Sequence, residues 1–299
     1  MLSDPNDTRA DMNNTVTKPI TPYTYSLVET MFVATADQNY ILARWAALNE
    51  LNVDFFWMSL HALEKYFKAI LLYNGQSAKG YSHNIVTLHE AVLRLDSQLS
   101  FGSLKSPPTI SKDALHWQAE TAKSFIARLN HWGDPNNRYM AYGWVQRWPQ
   151  NLIKLDQLVW RICRYCRPFA WTTNGKTVKW VQLLKKTPAE WRLNSHLPLE
   201  RALAGGLTDA ASEAATTLNY AFAPDGGHDI DSWRSSFANP PLADWFHLLR
   251  NATDNSTKKT ARETLEWVLQ NVDLGKDRST VRSELERAVR QSKNPESRI

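Results

Sequence analysis

Cysteine is almost absent from this chain: with only Cys163 and Cys166 in 299 residues, no disulfide framework can form. The two make a CxxC, but zinc needs four ligands and no second Cys pair exists. The motif also ends a helical pattern before Pro168 rather than joining a strand to a helix, so buried or half-buried thiols are expected. No apolar run approaches the ~20 residues of a bilayer span. Met1–Thr21 lacks the apolar centre of a secretory signal, so a cytoplasmic protein without membrane contact is expected. There is no P-loop, GxGxxG, HExxH or nucleophile elbow. No complete catalytic motif, cofactor or metal site is expected.

What is plentiful is tryptophan, thirteen residues within a 43% hydrophobic composition, enough for an aromatic-rich core. The net charge of +5 permits an anionic partner such as a nucleotide or RNA without requiring one.

Apolar spacings of three and four predict helices along most of the chain. After a polar tail over residues 1–22, a helix is expected from Ala34 to Leu51. The strongest follows, from Val53 to Tyr73, with Phe56, Leu60, Leu63, Phe67 and Ile70 on one face and a Glu64–Lys68 i,i+4 pair on the other. Asn74-Gly75 stops it. Ser82 or His83 should open a third helix, Ser111 should cap a fourth running to Trp132, and a fifth should lie within Gln146–Arg167. Phe169–Val181 alternates around Asn174-Gly175, a hairpin signature that would pair Trp171 with Val178. Beyond it, a helix over Leu197–Ala221 should be loosened at Gly205-Gly206. Helices over Leu242–Asn251, Lys258–Asn271 and Arg278–Gln291 should follow. The fold class expected is mainly all-α: a helical bundle over 23–167, then one short β-hairpin and a small helical region over 168–299.

Asn39-Tyr40 with Ala43-Arg44, the run Ala62-Leu63-Glu64-Lys65-Tyr66-Phe67-Lys68-Ala69, Asn74-Gly75, and Ser82-His83-Asn84 together resemble the HEPN superfamily. Arg138-Tyr139 sits where members often carry an Arg-Tyr pair. The likeness covers about residues 24–165. It implies a helical bundle that pairs as a homodimer and binds a nucleotide, RNA or a partner protein, in a stress, toxin–antitoxin or phage-defence setting. Lys65, Lys68, His83, Arg138 and Tyr139 would then be binding residues. Lys65 and Lys68 equally suit a solvated stripe. His83 suits a helix cap or a carboxylate partner, and Arg138 a pair with Glu64 or a phosphate contact.

Many HEPN proteins are metal-independent RNases in which four to six residues stand between an Arg and a following His. None of the eight histidines here has an Arg at that distance. The nearest substitute inside the bundle is Arg128 with His131, one helical turn apart, which leaves an RNase with a non-standard Arg/His site as the alternative. A purely structural interaction module is the third reading.

Three other constellations are weaker. Asp225–Asp231 (DGGHDID) suits a surface turn better than a cation loop. Arg192 with His196 is too closely spaced. Lys176, Lys179, Lys185 and Lys186, with Arg161, Arg164 and Arg167, interleave with Trp171, Trp180 and Trp191. That mixture suits single-stranded nucleic acid or, more simply, a hairpin anchored by its Trp residues.

Overall fold

In a computed structural model that describes residues 21–140, 143–146, 149–186, 196–224, 236–274 and 277–293, the chain is mainly all-α. Its centre is helix α3 (Asn52–Tyr73), whose Phe55, Phe56, Leu60, Leu63, Phe67 and Ile70 are at most 1% exposed. Burying each such side chain stabilises the fold by about 1.5–3 kcal/mol.

Helix α1 (Pro22–Val28) opens on a Thr21 capping box and leads through a π-helical turn into α2 (Ala34–Leu48). Small buried residues on α2, Ala36, Ala43, Ala46 and Ala47, let it lie close against α3. It ends three residues before the expected Leu51, because Glu50 adopts a left-handed conformation at φ 60°.

Helix α4 (Ile85–Leu95) starts later than expected. Asn84, not Ser82 or His83, is its cap, accepting from Val86 N and Thr87 N, while Ser82 is left-handed at φ 49°. The fourth expected helix is much shorter than Ser111–Trp132. Ser111 closes only a local turn, accepting from Ala114 N at 3.0 Å. His116 is left-handed at φ 46°, which interrupts any helix there. The chain then forms β1 (Ser103–Leu104) with β2 (Glu120–Thr121), and α5 (Ala122–Trp132) begins on the Thr121 cap. Gly133 ends α5 against α3, where a Cβ would lie 2.5 Å from Phe56 O, so no larger residue fits.

The fifth helix is also shorter than its pattern. Gln146 belongs to β3 (Trp144–Gln146), and α6 runs Gln150–Cys163 with Pro149 at its cap position. The hairpin forms as expected from β4 (Ala170–Thr173) and β5 (Lys176–Lys179), with Trp171 opposite Val178. Asn174 and Gly175 both take positive φ, 50° and 72°, as a type I′ turn demands. Helix α7 (Trp180–Lys186) follows directly.

Helices α8 (Pro198–Leu203) and α9 (Asp209–Thr216) are separated at Gly205. Both pack on α2, and Leu199, Ala202, Ala214 and Ala215 join the bundle core. Strand β6 (Ser236–Ala238) pairs antiparallel with β3. A second, smaller core centred on Phe246, Leu249, Leu265 and Ala288 unites α10 (Pro241–Asn251), α11 (Asn255–Asn271) and α12 (Arg278–Lys293). The first core includes residues of α8 and α9, and the second is built from α10, α11 and α12.

Candidate functional site

Two polar clusters emerge. The first lies where α5, α6 and the β2 segment meet. Glu120, Arg128, Trp132, Gln150, Asn151 and Lys154 help line a cavity of about 600 Å³, within the range of small-molecule sites. Thr121 caps α5 and thereby sets Glu120 beside the helix. Arg128, two turns along, forks onto that carboxylate: Nε donates to Oε1 at 3.1 Å and Nη2 to Oε2 at 2.7 Å. Its Nη1 donates to Asn151 Oδ1 at 2.9 Å, and its guanidinium lies 5.1 Å from the Trp132 ring centre. Lys154 is 2% exposed, and its Nζ reaches both Glu120 Oε2 and Gln150 Oε1 at 2.9 Å. Burial raises the Glu120 pKa, but hydrogen bonds and charge from Arg128 and Lys154 outweigh it, so the carboxyl sits below its ordinary value.

The second cluster centres on Glu64, whose side chain is only 7% exposed. His61 lies one turn before it on α3 and Lys68 one turn after. His83 arrives from the turn before α4. Lys68 Nζ donates to Oε1 at 2.6 Å, while His83 Nδ1 and His61 Nδ1 lie 2.9 and 3.3 Å from Oε2. Burial pushes the Glu64 carboxyl up, yet hydrogen bonds from His61, Lys68 and His83 bring it down to about 2. Lys65 donates to Asn39 Oδ1 at 2.6 Å, and burial lowers its pKa against the opposing charge of Glu64.

The structure thus sorts the residues picked from sequence. Lys68 and His83 converge on Glu64, with Lys65 alongside. Arg138 does not pair with Glu64: it stacks on Tyr139 at 4.8 Å, both exposed on a 3₁₀ turn after α5. Arg128 enters the cavity wall, whereas His131 is not among the residues that line it. Asn130, between them, accepts from Ile85 N at 2.9 Å, tying α5 to the start of α4. Glu120 and His61 were not singled out by sequence reasoning. The i,i+3 and i,i+4 spacing of His61, Glu64 and Lys68 was a usable signal; nothing local marks Glu120.

Other motifs make packing and anchoring contacts. Cys166 is buried and Cys163 half-buried, and neither is in a disulfide. Tyr40 and Arg44 converge on Asp156 of α6: Tyr40 OH donates to Oδ1 at 2.7 Å and Arg44 forms a fully buried ion pair with it. Arg44 also donates to the carbonyls of Ala214 and Thr217, joining α9 to the bundle. Trp180 is fully buried, its Nε1 donating to Arg164 O at 2.7 Å under the Arg167 guanidinium, which anchors the hairpin. Lys176 and Lys179 face water. Residues 1–20, Asp225–Asp231, Trp191 and Arg192 lie outside the described residues, as do the side chains of Lys185 and Lys186. No helix of the described residues is long and apolar enough to cross a membrane. No family model, curated protein or solved structure matches the chain significantly.

Proposed function

We propose that the chain is a non-catalytic, HEPN-like module that binds a nucleotide-sized anion in the cavity between α5 and α6. The observation that carries this reading is the pairing of two cations, Arg128 and Lys154, with the single carboxylate of Glu120 in that cavity wall. Two positive charges against one negative leave a net of +1, which favours an anion. Trp132 offers an aromatic surface for a base. Gln118 and Ser124 add further polar walls.

The same geometry disfavours RNA cleavage. Metal-independent cleavage needs an imidazole positioned beside a cation free to meet the phosphate. His131, which would supply that imidazole, is not among the residues that line the cavity.

Calorimetric titration with AMP, ATP and a short RNA at two salt concentrations tests the reading. Binding that weakens with salt and is lost in Trp132→Ala and Lys154→Met supports it. No heat at millimolar nucleotide overturns it. RNA cleavage in chelator that disappears in an Arg128→Ala/His131→Ala double variant would instead establish the RNase reading.

A further inference from the structure

We propose that His61, Glu64 and His83 bind one divalent transition-metal ion of the zinc class, with a coordination position open to solvent. None of the three lines the α5–α6 cavity, so the proposal stands apart from nucleotide binding there.

The donor set is two imidazoles and a carboxylate, a combination that suits zinc and its neighbours and not magnesium or calcium, which take all-oxygen shells. The geometry is already close. The three ligand atoms lie within 4.8 Å of one another, and both imidazoles turn Nδ1 toward the same oxygen, Glu64 Oε2, at 2.9 and 3.3 Å. With metal–ligand bonds of 2.0–2.1 Å, the edge of a tetrahedral zinc site is about 3.3 Å. The two edges to Glu64 Oε2 are already near that length, and side-chain rotation that sets the two imidazoles at the same spacing would admit an ion between the three atoms. Each imidazole would then carry its proton on Nε2 and present a bare Nδ1.

Supporting residues hold two of the ligands in place. The Trp57 ring stands edge-on to His61, with centroids 4.6 Å apart. Lys68 binds the other Glu64 oxygen, Oε1, leaving Oε2 for the ion. His83 is 52% exposed, so the fourth position faces water. Its backbone neighbours are constrained, since Ser82 is left-handed and Asn84 caps α4. A bound ion would thus clip the turn before α4 to α3. Lys68 also opposes a dication by its charge, which supplies a test of sign.

The experiment uses untagged full-length protein, stripped with chelator and titrated with Zn²⁺ against a chromogenic competitor. One equivalent should bind per chain, with affinity reduced at least about tenfold in His61→Ala and in His83→Ala. Lys68→Met should bind more tightly than the wild type. Co²⁺ should give the intense ligand-field absorption of a tetrahedral N/O site, absent in the His83→Ala variant. His83 is half exposed, so that variant is expected to stay folded, which circular dichroism checks. Binding of less than one equivalent by the wild type, or undiminished affinity in a folded His83→Ala protein, overturns the proposal.

Discussion

His83 Nδ1 and Glu64 Oε2 stand 2.9 Å apart although nineteen residues separate them in the chain. Glu64 is the hub of this region, because His61, Lys68 and His83 all direct their polar atoms at one nearly buried carboxylate. Glu64→Ala should cost about 1–3 kcal/mol, since it strands a largely buried lysine and two imidazoles at once. His83→Ala removes a contact from a half-exposed residue and should cost no more than about 1 kcal/mol. Urea unfolding of both variants in chelator measures the difference, and equal costs would refute Glu64 as the hub.

Arg128 and His131 should behave oppositely on substitution. Arg128→Ala breaks the fork to Glu120 and leaves Glu120 and Asn151 underpaired. A loss of about 2–4 kcal/mol is expected, toward the low side of a buried ion pair because Arg128 keeps some solvent contact. His131 is exposed at the end of α5, and His131→Ala should stay within about 0.5 kcal/mol of the wild type. Thermal and denaturant unfolding read both.

The Arg44–Asp156 pair should be the most costly polar contact to break from one side. Both side chains are out of solvent, at 0% and 1% exposure, and Arg44 also serves two carbonyls of α9 and the loop after it. Arg44→Ala should destabilise by about 3–5 kcal/mol. Replacing both partners together, as Arg44→Met with Asp156→Leu, should recover part of that loss. A double-mutant cycle in denaturant checks this, and additive costs would show that the pair is not coupled.

His89 predicts a dependence on pH. Burial lowers its pKa below the ordinary value, and the Leu99 carbonyl, 3.1 Å from Nε2, only partly opposes that shift. The folded chain therefore keeps the ring neutral at pH values where the unfolded chain takes up a proton. Stability from this source is present above about pH 6.5, the ordinary histidine value, and declines as pH falls below it. Glu120 acts lower on the scale: its depressed pKa contributes stability that is lost as pH falls through the carboxylate range. Unfolding free energies at pH 7.5 and 5.5 should differ, and His89→Gln should shrink the difference. An unchanged difference would exclude His89 as its source.

Helix identity was legible wherever local chemistry decides it. The apolar periodicity of α3, the Asn174-Gly175 turn and the Gly205 break act through nearest neighbours along the chain, so a sequence pattern reports them. The starts of α4, α5 and α6 lie later than the apolar pattern suggests, because left-handed residues at Ser82 and His116 and the pairing of β3 with β6 interrupt it. The Glu64–Lys68 pair is legible from its i,i+4 spacing, but that His83 joins the same carboxylate is not. That His83 reaches Glu64, and that Glu120 gathers Arg128 and Lys154, follows only from packing, because a buried carboxylate takes whichever partners the tertiary fold delivers. Composition and periodicity settled a mainly helical fold rich in tryptophan. Which charges meet inside it, and hence where a ligand or an ion can sit, was decided by how α2, α3, α5 and α6 come together.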